Sequence, residues 1–226
     1  MNFVIIIPAR GGSTRIKNKN IRPLNGRPLL THTIDNLKAG QLLAQTYVST
    51  NDNQIALIAS ENGAQIITRP DDLANSTAST ESALLHALEE LSKKDIHPEW
   101  VMTLPPTSPF RSIDSIRDVL SMSNTCDADT DCIMSVTVNK GDFWKLKDNG
   151  FSRLFPDAPR RQQDREPLYE ENSAIYMTRV SALIATQSIL GAKVEPYFMD
   201  ALEAVDINDP LDFDIAEAIS KSRSRT

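Results

Sequence analysis

Phe3-Val-Ile-Ile-Ile-Pro-Ala-Arg10-Gly11-Gly12-Ser13-Thr14-Arg15-Ile-Lys17-Asn-Lys19-Asn20-Ile21 decides the reading of this chain. An apolar run, Phe3 to Ile7, passes into a glycine-containing loop that carries Arg10, Arg15, Lys17 and Lys19. A continuous apolar run suits a parallel strand buried on both faces. In open α/β sheets ligands sit beyond the carboxyl ends of the strands. Gly11 and Gly12 let the backbone approach a ligand, and successive N–H groups can cradle phosphate oxygens. The spacing is neither that of a Walker loop nor G-x-G-x-x-G. Arg10 leaves the strand directly and is held rigidly, whereas Arg15 and Lys19 lie further along and can close. Guanidinium suits bidentate phosphate contact. Four cations beside two glycines point to a polyphosphate.

Elsewhere the chain is acidic. Its 226 residues carry a formal charge of −6, with 40% hydrophobic and 24% charged residues. That suits one large globular domain, with no global attraction for nucleic acid or an anionic membrane. No apolar run reaches transmembrane length. Phe3–Ile7 is too short for a secretory signal and lacks basic residues before it. The two cysteines, Cys126 and Cys132, match no metal spacing, so a reduced, cytoplasmic protein is expected.

The hydrophobic rhythm alternates short β-rich runs with helical periods. Strands are expected at Phe3–Ile7, Gln45–Ser49, Gln65–Thr68, Trp100–Leu104 and Cys132–Val138. Helices are expected at Pro28–Lys38, Asn53–Asn62, Glu81–Leu91 and Ile113–Met122. This order implies right-handed crossovers and a doubly wound, Rossmann-like, mostly parallel sheet between two helical layers. The loops at Pro8–Pro23, Thr50–Asp52, Arg69–Thr80 and Pro105–Ser112 then share one rim. The rhythm breaks over 139–172, a stretch rich in Pro, Asp, Arg and Gln with scattered aromatics. Such a stretch reads as an inserted subdomain or dimerisation arm. It divides an α/β domain of residues 1–138 and 173–226. Regular pattern resumes at Ala174–Thr178 and Lys193–Phe198, Val205–Ile207 reads as a further strand, and a last helix starts near Asp209-Pro210.

Three other clusters carry candidate chemistry. Asp206 and Asn208 fall on one face of the expected strand. Their oxygens suit Mg²⁺, which binds through one or two protein oxygens plus substrate phosphates; a helix cap by Asn208 or Asp209 explains the same residues. Arg160-Arg161-Gln162-Gln-Asp-Arg165 suits a carboxylated substrate, a partner chain or a solvated charged face. Pro105-Pro-Thr107-Ser108-Pro-Phe-Arg111 is a rigid loop with hydroxyls at a strand end. None of the three histidines has an evident partner, and no nucleophile triad is legible.

With these residues assembled, the chain resembles the acylneuraminate cytidylyltransferases, the CMP-sialic acid synthetase family. The resemblance rests on Ile7-Pro-Ala-Arg-Gly-Gly-Ser13 with Lys19-Asn20, Val48-Ser-Thr50, and Arg69-Pro with Thr77-Ala-Ser-Thr80. It continues through Pro106–Arg111, Arg161-Gln162, Asn172-Ser-Ala-Ile-Tyr176 and Asp206–Asp212. It implies a homodimeric, Mg²⁺-dependent enzyme of the nucleotide-diphospho-sugar transferase fold. Such an enzyme activates a nine-carbon 3-deoxy-2-keto sugar acid with CTP and releases pyrophosphate. Arg10 and Lys19 would hold the triphosphate within a loop of Gly11, Gly12, Ser13 and Arg15, while Asn20, Arg69 and Thr80 surround the cytidine. Asp206, with Asn208, would bind Mg²⁺. Thr107, Ser108, Arg161, Gln162, Asn172 and Tyr176 would serve the sugar acid, with Arg161 donated across the dimer. Four positions depart from the family pattern. Thr14 stands where lysine is frequent, Asn208 replaces the second metal aspartate, and Ser173 replaces a glycine. Pro105 replaces the glutamine that meets the acyl group in sialate enzymes, which leaves legionaminic acid open as the sugar. The Gly-Ser-Thr-Arg loop also looks like that of the 3-deoxy-manno-octulosonate cytidylyltransferases. A non-catalytic nucleotide-binding protein on the same fold is the reading of another class.

Overall fold

The structure, a computed structural model, describes residues 2–75, 77–147 and 150–223. The chain opens with β1 (Phe3–Pro8) and, after the cationic loop, forms a short ribbon of β2 (Pro23–Leu24) and β3 (Arg27–Pro28). Then follow α1 (Leu29–Ala39), β4 (Thr46–Thr50), α2 (Asn53–Glu61), β5 (Gln65–Thr68) and α3 (Thr80–Ser92). The alternation continues through β6 (Trp100–Thr103), α4 (Ile113–Thr125) and β7 (Cys132–Asn139). A hairpin of β8 (Trp144–Lys147) and β9 (Gly150–Arg153) precedes the long β10 (Leu168–Arg179). The chain ends with α5 (Val180–Thr186), β11 (Val194–Phe198) and α6 (Pro210–Arg223).

Seven strands make one sheet in the order β11-β7-β10-β6-β1-β4-β5. All neighbours run parallel except β10, which is antiparallel to both β6 and β7. Alternation along β1 builds the two layers. Ile5 and Ile7 pack with Leu30, Ile34 and Leu37 of α1, Ile55 of α2 and Ile116 of α4. Val4 and Ile6 pack with Leu84, Leu88 and Leu91 of α3 and Leu183 of α5 on the opposite face. Each such side chain, fully buried, stabilises the fold by about 1.5–3 kcal/mol. The helices start where side chains can cap them. Asp52 accepts from the N–H groups of Gln54 and Ile55, Ser79 from Ser82, and Ser112 from Ser115.

The chain leaves β1 for β4 on one side and later returns to β6 on the other. Strand order therefore reverses at β1, and the loops after β1 and β6 face each other across the crevice where such sheets bind ligands. Two elements differ from expectation. Val205–Ile207 is irregular rather than a strand: the Ile207 N–H donates to Thr107 O at 2.9 Å, a tie to a loop rather than to a strand. Residues 139–172 contain regular structure that the polar composition hid. β10 begins inside them and pairs Leu168–Glu171 with β7 before its register shifts between Glu171 and Tyr176. Asp142 pins the rest of the arm. It accepts both arms of the Arg153 fork at 2.7 and 3.0 Å and a bond from Arg165 at 3.3 Å. The Arg153 guanidinium holds its carboxyl below the usual carboxylate range.

Candidate functional site

Two adjoining clefts lie along the rim. The first has a volume of about 180 Å³ and is lined by Arg10, Ser13, Arg15, Lys19, Asn20 and Thr107, among others. The loop after β1 thus meets the loop after β6, and five of the expected loop residues line this one cleft. Gly12 has φ +66°, and no heavy atom lies within 4 Å of where its Cβ would stand. A left-handed residue facing open space is glycine's natural place. A Cβ on Gly11 would come within 2.8 Å of Asp52 Oδ2, the carboxylate that caps α2. The Gly11 N–H donates to Asn51 Oδ1 at 3.0 Å, so this amide is turned inward and does not cradle a phosphate.

The cations are fixed by backbone carbonyls. Arg10 donates to Ala74 O at 3.3 Å, and its own carbonyl accepts from Asn20 Nδ2 at 2.9 Å. Lys19 Nζ donates to Ile207 O at 2.8 Å, across 188 residues of sequence. Burial lowers the Lys19 ammonium below the usual lysine range, against the opposing pull of Asp206. Arg69 is buried and donates to Ser49 Oγ at 3.1 Å and Ser49 O at 2.8 Å. Burial lowers its guanidinium to about 10, and the neighbouring Arg10 charge adds to the effect. Among the described residues neither Arg10 nor Arg69 has a carboxylate within ion-pair distance. Thr80 is the exposed first residue of α3; neither it nor Arg69 lines either cleft.

The second cleft, about 480 Å³, is lined by Glu170, Glu171, Asn172, Ser173, Asp206 and Asn208, among others. Asn172 is 9% exposed; its Oδ1 accepts from Ser135 Oγ at 2.6 Å and from the Ala174 N–H at 3.1 Å. Its Nδ2 is buried with no partner among the described residues. Ser173 holds φ +58°, the conformation that explains glycine in the family pattern. Asp206 accepts from Asn208 Nδ2 through Oδ2 at 2.6 Å, and its Oδ1 is buried without a partner among the described residues. The cap of α6 is Asp209, whose Oδ1 accepts from Leu211 and Asp212, while Asp212 accepts in return from Asn208 and Asp209. Asp206 and the Asn208 side chain are therefore not used by the helix. No group of three or more His, Cys, Asp or Glu side chains capable of holding a metal forms among the described residues.

Five of the six residues assigned to the sugar acid stand apart from the second cleft, which only Asn172 lines. Thr107 lines the first cleft instead. Ser108 is fully buried. The Tyr176 hydroxyl donates to Glu171 and sits among the buried side chains of the α3 face. Arg161 is exposed on the arm, 3.7 Å from Asp164, with Gln162 beside it; neither lines either cleft of its own chain.

Arg111, given no role by sequence reasoning, is 1% exposed and bolts the two clefts together. Its Nε donates to Ala174 O at 2.8 Å and its NH2 to Pro105 O at 2.8 Å. Burial lowers this guanidinium, while Glu203 and Asp206 pull it back up. An arginine after Pro-Phe looks solvated in sequence, because nothing local shows that two carbonyls from other segments await it.

A mostly parallel α/β sheet with a cationic, glycine-containing loop at its switch point has the arrangement in which such sheets bind ligands. The chain belongs to the cytidylyltransferase family, which it matches over residues 4–219. It is 30% identical over 227 residues to an N-acylneuraminate cytidylyltransferase of Escherichia coli, covering 99% of this chain and 53% of that protein. It is 28% identical over 227 residues to a CMP-N,N'-diacetyllegionaminic acid synthase of Legionella pneumophila, covering 97% of this chain and 96% of that protein. The chain thus spans about half the length of the first relative and nearly all of the second. The fold is similar to that of a CMP:2-keto-3-deoxy-manno-octonic acid synthetase solved with CTP, with TM-score 0.68, 15% identity and coverage of 99% and 100%. No helix among the described residues is long and apolar enough to cross a membrane.

Proposed function

We propose that the chain is a CMP-nonulosonate synthetase, transferring the cytidylyl group of CTP to a nine-carbon 3-deoxy-2-keto sugar acid of sialic or legionaminic type. The observation that carries this is the Lys19–Ile207 bond. It ties the cationic loop near one end of the chain to the main-chain carbonyl of the residue after Asp206, whose carboxylate keeps an oxygen without a partner among the described residues. In the reaction the anomeric hydroxyl oxygen attacks the α-phosphorus in line, the bond to the β-phosphate oxygen breaks, and pyrophosphate leaves while the hydroxyl proton passes to solvent. Such chemistry needs positioning and charge neutralisation more than covalent help. Arg10 and Lys19 hold the leaving phosphates, Arg15 and Ser13 close the loop, and Asn20 borders the nucleoside, with Arg69 placed behind Arg10 and, like Thr80, outside both clefts. Asn172 lines the cleft assigned to the sugar.

The residues present fit Mg²⁺. A dry carboxylate oxygen on Asp206, with Asn208 beside it, suits a hard cation that takes its remaining ligands from water and phosphate. Bound there, the ion would neutralise charge on the reacting phosphates. A homodimer fits the arm. Leu146 is 80% and Phe151 66% exposed on the hairpin, where Trp144 stacks on Phe151 at 4.9 Å. A patch of this kind marks an association surface, and a second copy would bring Arg161 and Gln162 towards the sugar cleft. A cytoplasmic setting supplies CTP.

The test is pyrophosphate release with CTP, UTP, GTP or ATP against sialic, legionaminic, pseudaminic and 3-deoxy-manno-octulosonic acids. Turnover with CTP and a nine-carbon acid is expected. CTP binding without turnover on any acid would assign a binding protein. Preference for the octulosonic acid would move the substrate to the eight-carbon class.

The pH dependence follows from Lys19. Only its protonated form holds phosphate, and its pKa lies below the usual lysine value. Activity is therefore full at lower pH and lost as pH rises through that lowered value. The profile of kcat/KM for CTP, which reports the free enzyme, is expected to show this alkaline limb, and Lys19→Arg to move it upward. A limb that stays in place in the variant belongs to another group.

A further inference from the structure

We propose that Asn51 is the positioning residue that sets the shape of the triphosphate loop, an inference that rests on the CTP site described above. Asn51 follows β4 in a loop that sequence placed on the rim without a role. Its Oδ1 accepts the Gly11 N–H at 3.0 Å and its Nδ2 donates to Asp71 Oδ1 at 2.9 Å. The two bonds fix the amide orientation, because an N–H must face oxygen and a carboxylate must face nitrogen. A carboxamide is the short side chain that serves both at once. It joins three rim segments: the loop after β1, its own loop, and the turn Asp71–Leu73 after β5.

Gly11 is held from two sides. Asn51 takes its N–H, and Asp52 Oδ2 occupies the place of a Cβ. Arg10, one residue earlier, reaches the same distant segment through Ala74 O. Asn51 and Arg10 thus tie the phosphate loop to the Arg69–Thr80 segment through separate bonds. Asn51 lines neither cleft; it fixes where Arg10 and Gly12 stand when a triphosphate arrives.

Exchange of the pair tests this. Asn51→Asp sets two carboxylates against each other and is expected to weaken CTP binding, measured by calorimetry, about tenfold. Asn51→Asp with Asp71→Asn rebuilds the pair with donor and acceptor exchanged and the net charge unchanged. It is expected to return CTP affinity to within about threefold of the parent. The KM for the sugar acid is expected to hold in both. Should the single variant fail to fold, Asp71→Ala serves. It removes an exposed partner and frees the Asn51 amide, with an expected loss of about threefold in CTP affinity at unchanged Tm. Equal affinity in parent and Asn51→Asp, or no recovery in the double variant, overturns the inference while leaving the CTP site intact. A parent protein that binds no CTP overturns both.

Discussion

Asp206→Ala is expected to abolish Mg²⁺-dependent pyrophosphate release, with kcat reduced by at least about 10²–10³-fold. Asp206 Oδ1 is buried with no partner among the described residues, and a polar atom buried unpaired is costly unless something binds it. The nearby cations do not meet it directly: Lys19 is spent on Ile207 O, and Arg111 on Ala174 O and Pro105 O. They offset its charge from a distance and leave the oxygen without a direct partner. Asp206→Asn keeps the shape and removes the charge, so it separates the metal from mere packing. Titration of Mn²⁺ into the CTP complex, followed by electron paramagnetic resonance, is expected to lose the tight site in both variants. Near-parent turnover in either one removes Asp206 from the metal assignment.

The sheet was legible because parallel strands buried on both faces leave apolar runs that few other structures produce. Phe3–Ile7 and Trp100–Leu104 are such runs, observed as Phe3–Pro8 and Trp100–Thr103. Helix starts were legible where the cap is local, as at Ser112. β10 was only half legible. Its first residues, Leu168–Glu171, pair at an exposed edge where polar side chains cost nothing, so the apolar signal begins only at Ala174. Val205–Ile207 misled for the converse reason: Ile207 is buried by α6 and the ribbon cluster, and burial rather than pairing made it apolar.

The site divides in the same way. The cations around Gly11 were visible because they are crowded in sequence. Asn51 and Arg111 were not, because each makes its bonds to segments remote in sequence, and a lone amide or guanidinium carries no local mark of that. Arg161 was visible as part of a charge run, yet it stands exposed on the arm and lines neither cleft of its own chain.

Arg10→Ala is expected to cost at least about 3 kcal/mol of transition-state stabilisation, a loss in kcat/KM for CTP of roughly a hundredfold or more. The argument is electrostatic. Arg10 stands close enough to lower the pKa of the buried Arg69, and neither has a carboxylate within ion-pair distance among the described residues. Two guanidiniums that repel one another in a partly dry site favour any anion placed between them and the loop. The charge that pyrophosphate gathers as it leaves is such an anion. Arg10 is held by Asn20 on its carbonyl and by Ala74 at its fork, so little reorganisation is needed when that charge forms. Removing Arg10 also relieves the repulsion on Arg69, so the variant is expected to fold with an unchanged or slightly higher Tm while activity collapses. Arg10→Lys keeps the charge and loses the fork, and an intermediate loss of about tenfold is expected. A decline of only a few fold in Arg10→Ala would make this arginine peripheral. Lys19 and Arg15 would then carry the triphosphate between them.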